Sequence, residues 1–170
     1  KHTELDEDVR LEIVTDQSEE YTDVLRHSAA HVFAQALQRL SPDATLSIGP
    51  WTDDGFYYDI DGVDLDLDDL ETIEAEMKEI IEEDLEIERE VVDREQAFDR
   101  YQHNEYKQEI LNTEAAGEET VTFYHQGEFM DLCQGPHVKS TGKIGAVELR
   151  SISSAYWCGE ETNDQLTRVY

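Results

Sequence analysis

At 170 residues the chain can bury a core large enough to do without disulfides, and its two cysteines, Cys133 and Cys158, lack the regular spacing of a secreted framework. No apolar run approaches the roughly 18 to 20 residues that span a bilayer, and the charged N-terminus has no signal-peptide core, so the expectation is a soluble, cytoplasmic protein with no membrane partner. Against 13 basic residues stand 42 acidic ones, a formal charge of −29 spread from Asp6 and Glu19 to Asp99 and Glu161. This is a whole-surface property, unlike an acidic tail, and it suits a salt-loving cell: at molar salt the Debye length is about 3 Å and carboxylate self-repulsion is screened. Clear periodicity through most of the chain argues against disorder.

Val9 to Thr15 alternates as a short strand would, and 1–20 reads as the tail of a preceding domain and a connector, with one domain over 21–170. Thr22 to Leu40 predicts a helix whose apolar stripe is Leu25, Ala29, Val32, Phe33, Ala36, Leu37 and Leu40, stopped by Ser41 and Pro42. Strands are expected over Ala44 to Ile48 and Gly55 to Ile60, paired as a hairpin across Gly49-Pro50 and Asp53-Asp54-Gly55. Leu67, Leu70, Ile73, Met77, Ile80 and Ile81 recur at helical spacing among acidic residues, which predicts a second long helix lying on a sheet. Glu86 to Val92 reads as a strand, Arg94 to Tyr101 as a short helix and Thr113 to Glu119 as a loop. The last third predicts strands at Val121 to Tyr124, Glu128 to Leu132, Val147 to Ile152 and Ala155 to Trp157. Without a strict βαβ rhythm, the class is α+β: a largely antiparallel sheet packed against a long helix pair.

His27 and His31 are four apart, so on a helix their Cβ atoms lie about 6 Å from one another, on the side opposite the apolar stripe. Read alone they are equally a pair of surface histidines. Asp131-Leu132-Cys133-Gln134-Gly135-Pro136-His137 places a thiol and an imidazole at the two ends of a Gly-Pro turn. Together, His27, His31, Cys133 and His137 are four ligands of the kind that tetrahedral zinc prefers. His2 and His103 have no such partners and read as surface residues.

Four separated motifs, Arg26-His27-Ser28-Ala29-Ala30-His31, Ile48-Gly49-Pro50 with Gly55-Phe56-Tyr57-Tyr58-Asp59, Asp131 to His137, and Ala155-Tyr156-Trp157, resemble in order and spacing the editing domain of bacterial-type threonyl-tRNA synthetase. Alanyl-tRNA synthetase editing domains share the two histidine-bearing halves but lack the Gly-Phe-Tyr-Tyr-Asp strand. The resemblance implies hydrolysis of serine wrongly attached to threonine tRNA, with His27, His31, Cys133 and His137 at the centre. It also implies Lys107 and Asp131 beside them, with Tyr58 and Tyr124 as pocket walls and Gly49 admitting the substrate close to backbone. It favours a metal-free, water-mediated site, whereas ligand chemistry alone suits zinc. Gln134 departs from the family, which more often has arginine there.

Serine lacks one methyl group of threonine, a difference worth about 1–3 kcal/mol in a single pocket, so a second, hydrolytic sieve is needed. The expected roles are His27 for the attacking water, Lys107 for the ribose or developing oxyanion and Asp131 for the serine amino group, with Cys133 as wall or ligand ahead of nucleophile. The implied partners are the acceptor end of tRNA(Thr) carrying serine and the remaining, ATP-using domains of the synthetase. At −29, the segment alone is expected to bind tRNA weakly. The alternatives are a zinc-stabilised, non-catalytic tRNA-binding module and a free-standing deacylase for another aminoacyl-tRNA.

Overall fold

Helix α1 (Glu20–Leu40) is the spine of the described residues, 13–18 and 20–170 of this computed structural model. Every residue of it from Ser28 to Leu37 is buried, because neighbours close on all of its sides. Ala29, Ala30, Ala34 and Ala36 keep those neighbours close, and Phe33 reaches Phe56 and Tyr58 at ring separations of 6.0 and 5.7 Å. The histidines therefore do not face solvent opposite a single apolar stripe. Of the expected strand over Val9 to Thr15, the part up to residue 12 lies outside the described residues, and 13–15 form no strand.

After α1, the short strand β1 (Thr45–Leu46) precedes a two-strand hairpin, β2 (Trp51–Thr52) and β3 (Gly55–Phe56), and then β4 (Tyr58–Asp61), which returns antiparallel to β1. The expected hairpin is present, with β2 and β3 forming its tip. Asp66 then caps α2 (Leu67–Glu83): its carboxylate accepts the N–H groups of Asp68 and Asp69, and Asp69 reaches back to the Asp66 N–H at 2.8 Å. Such a reciprocal box satisfies the orphan donors of the first turn. Leu70, Ile73, Met77 and Ile80 are buried in the same apolar cluster as α1, so α2 packs chiefly on that helix rather than on a sheet. Leu67, expected in the stripe, sits in the first turn and is 68% exposed.

Strand β5 (Ile87–Asp93), helix α3 (Arg94–Arg100) and helix α4 (Glu105–Thr113) follow, and β6 (Thr120–Gln126) and β7 (Phe129–Leu132) complete an antiparallel three-stranded sheet in the order β5-β6-β7. Helix α4 is absent from the sequence reading. Its start is set by Asn104, whose side chain caps the Lys107 N–H at 3.0 Å while donating to the Leu46 carbonyl at 2.8 Å.

The chain ends in β8 (Ile152–Tyr156) and β9 (Gln165–Val169), which add to the first sheet in the order β1-β4-β9-β8. The strand expected over Val147 to Ile152 begins only at Ile152. Before it, buried Leu149 gives its N–H to Glu74 of α2 at 3.0 Å, an anchor to a helix that takes the segment out of the ladder. Trp157 lies in a single 3-10 turn, not in a strand. The class is α+β as expected, with every strand pair antiparallel.

Candidate active site

The early histidines and the late thiol meet. His27 and His31 lie edge to face at 5.3 Å, and the His137 ring is 4.3 Å from the first and 4.2 Å from the second. Cys133 Sγ stands 3.2 Å from His27 Nε2 and 3.2 Å from His137 Nε2, and the Gly135 N–H donates to it at 3.1 Å. The turn that presents these groups is held at both ends. Cys133 N–H donates to Thr122 O at 3.0 Å as β7 leaves the sheet, and Val138 N–H donates to Ser28 Oγ at 3.1 Å.

Ser28, which the sequence reading passed over, orients the site. Its hydroxyl proton goes to the Val24 carbonyl at 2.7 Å, so Oγ can only accept from His137 Nδ1 at 3.0 Å. The proton of His137 then resides on Nδ1, and Nε2 turns a lone pair to the Cys133 thiol.

Next to this cluster, Lys107 of α4 and Asp131 of β7 form a buried ion pair at 2.6 Å, their side chains 4% and 7% exposed. Asp131 also accepts from Tyr101 Oη at 2.9 Å, the Leu132 N–H at 2.8 Å and Tyr58 Oη at 3.1 Å. Burial first, then the Asp131 charge, pushes both tyrosine hydroxyls well above their ordinary range, so both stay protonated and donate. Three of these four donors, Lys107, Tyr101 and Leu132, converge on Oδ1, and Tyr58 alone reaches Oδ2, which keeps an acceptor position. Tyr101 is the second residue that the sequence reading missed, since a tyrosine ending a short helix carries no local signal.

Burial sets the protonation states. It lowers His27, although the nearby Pro136 carbonyl and Asp131 oppose it, and that carbonyl makes no hydrogen bond to the buried Nδ1. It lowers His31 much further, helped by His27 and Lys107. The Cys133 thiol is pushed up to about 12, again by burial. Near neutrality the cluster thus holds uncharged His27 and His31 and an un-ionised Cys133 thiol.

Tyr124 sets its ring 4.6 Å from His137, and a Cβ on Gly135, at φ +70°, would overlap the Tyr124 hydroxyl. Tyr58 is buried, its hydroxyl on Asp131. Gly49, however, lies flat against the Tyr58 ring, and a Cβ there would run into Cδ2 and Cε2. Its bareness makes room for that ring. Of the remaining histidines, His103 is exposed, and His125 pairs with Glu90 at 2.7 Å on the far face of the β5-β6-β7 sheet. Surface depressions lined by Gln35, Arg39 and Glu128 and by Glu90, Arg100 and His125 lie apart from the cluster.

A cation would find fitting ligands here. One donor atom from each of His27, His31, Cys133 and His137 lies within 4.8 Å of the other three, and tetrahedral zinc sets its nitrogen and sulfur ligands about 3.6 Å apart. His31 Nδ1 is buried with no hydrogen-bond partner, the condition of an atom suited to a metal or water.

Residues 121–170 match the family described as threonyl and alanyl tRNA synthetase second additional domain. The whole chain is 71% identical to part of the threonine–tRNA ligase of Haloarcula marismortui and 65% identical to part of that of Natronomonas pharaonis, covering 26% of each. The chain as a whole is thus similar to one segment of these ligases, and residues 121–170 of it to that domain. To the threonine–tRNA ligase of Streptococcus equi it is 45% identical over 168 residues, again 26% of that protein. The chain thus spans about a quarter of the ligases it matches, and its high identity to halophilic members of the family agrees with the acidic surface. Among the described residues no helix is long and apolar enough to cross a membrane.

Proposed function

We propose that this segment is the editing site of a threonine–tRNA ligase and hydrolyses the ester joining serine to the 3′ end of tRNA(Thr). The observation that carries the proposal is the convergence of His27, His31, Cys133 and His137 beside the Lys107–Asp131 pair. A purely structural zinc site is closed and needs no ammonium at its edge.

In this reading, water attacks the ester carbonyl while uncharged His27 takes its proton. As the tetrahedral centre collapses, the ester C–O bond breaks and the ribose oxygen recovers that proton. Lys107, aimed by Asp131, Tyr58 and Tyr101, stabilises the developing oxyanion in a water-poor setting, where such a charge is worth most. Cys133 is a wall: a thiol held up near 12 supplies almost no thiolate at neutral pH. The pocket between Tyr58 and Tyr124 admits serine and rejects the extra methyl of threonine.

The test is to incubate the chain with seryl-tRNA(Thr), threonyl-tRNA(Thr) and alanyl-tRNA. Selective loss of serine is expected, falling by roughly 10²–10⁴ in His27→Ala. Equal rates on all three, or an unaffected variant, would refute the proposal. Zinc, if held by three of the four side chains with one position left open, would supply a Lewis acid at the same carbonyl. Deacylation that survives exhaustive chelation supports the water-and-imidazole reading, whereas loss on chelation and recovery with zinc replaces it.

A further inference from the structure

At the edge of the histidine cluster stands one exposed aromatic, packed on His27. Trp51 is 43% exposed, and its ring centroid lies 5.1 Å from that of His27 with the planes tilted by 36°. The other exposed aromatics among the described residues, Tyr156 and Tyr170, make no ring contact with the cluster. The β2–β3 hairpin that bears Trp51 is seated by other groups: Phe56 is buried against Phe33, and Arg26 donates to the Asp53 carbonyl at its tip. The hairpin thus sets the indole beside His27, partly open to solvent.

We propose that Trp51 is the stacking platform for the base of the terminal adenosine, and that stacking there presents the seryl ester inward to His27. The proposal rests on the editing function argued above. Charge gives it its physical weight. The chain carries −29, and three cations close to the site already have partners, Lys107 in Asp131, Arg26 in Asp23 and the Asp53 carbonyl, and Arg89 in Tyr124 across the β5-β6 ladder. Phosphate contacts lose affinity steeply as salt rises, so in a salt-rich cell they hold a nucleotide poorly. Every base has a π-face, and stacking on an aromatic side chain needs no charge. A tryptophan beside His27 therefore does what a basic residue cannot do on this surface.

Two probes separate the base from the ester: adenosine bearing serine through a non-hydrolysable 3′-amide, and the same seryl amide on a ribose without a base. The adenosine probe should bind the chain more tightly, and that advantage should change less than about twofold between 0.2 and 2 M KCl. Trp51→Ala should weaken the adenosine probe by roughly 5- to 150-fold and leave the base-free probe unchanged, with Trp51→Phe close to the parent. The unaltered chain offers a second reading. Of its two tryptophans, Trp157 is buried with its Nε1–H on Glu109, so quenching of the exposed indole's emission by the adenosine probe alone reports the stack directly. If the parent prefers the adenosine probe but Trp51→Ala does so equally, the stacking role is wrong and the editing function stands. If Trp51→Ala loses both probes alike, Trp51 shapes the ester pocket and the proposal fails. If the parent binds neither probe, the editing function falls and this proposal with it.

Discussion

Replacing Asp131 by Asn leaves the side-chain shape nearly intact and strands the Lys107 ammonium in a site where its own side chain is 4% exposed. Removing one partner of a buried ion pair typically costs about 3–5 kcal/mol, because the remaining charge stays desolvated without compensation. Whole domains are stable by only about 5–15 kcal/mol, so Asp131→Asn should remove about a fifth or more of the stability. Lys107→Met should be milder. It leaves the carboxylate with the hydroxyls of Tyr58 and Tyr101 and the Leu132 N–H, at an expected cost of about 1–3 kcal/mol. Urea unfolding in molar KCl, followed by far-ultraviolet circular dichroism, measures both. An Asp131→Asn loss below about 1 kcal/mol, or one smaller than that of Lys107→Met, would show that the pair is not the buried, mutually dependent unit described above.

Further outcomes follow from the same geometry. Cys133→Ala should keep seryl-tRNA deacylation within about tenfold of the parent, since a wall residue is removed; a loss beyond a thousandfold would reinstate the thiol as nucleophile. Gly49→Ala should destabilise the chain by about 1–3 kcal/mol, because its methyl group must displace the Tyr58 ring, and calorimetry would reveal a neutral result as evidence against that contact. Deacylation should be level above pH 6.5 and fall on the acid side with a midpoint below 6.5, as burial lowers His27; a midpoint above 6.5 would contradict the assignment. For stability the signs are opposite at the two ends of the scale. As pH falls through 6.5, the unfolded chain takes up protons that buried His27 and His31 resist, so stability drops. As pH rises past 9.0, the unfolded Cys133 ionises while the folded thiol holds to about 12, and stability drops again.

Much of the molecule was legible because it is local. The spacing of Leu70, Ile73, Met77 and Ile80 dictates α2, Asp66 and Asp69 mark its start, and the four-residue separation of His27 and His31 fixes their common face. The turn between Cys133 and His137 likewise follows from Gly135 and Pro136. Helix α4 escaped notice because its cap is a side chain that also reaches Leu46, far away in sequence, and β9 because its short alternation gains meaning only between β4 and β8.

What the chain order alone determined was which residues are chemically able to act, since residue type and spacing are written locally. Tertiary structure decided their states and duties. Neighbours closing around α1 made His27 and His31 uncharged, the fold gathered Lys107, Tyr58, Tyr101 and Leu132 around the Asp131 carboxylate, and the β2–β3 hairpin brought Trp51 against His27. Desolvation and hydrogen-bond saturation depend on atoms that are distant in sequence, and they exist only once the chain has folded.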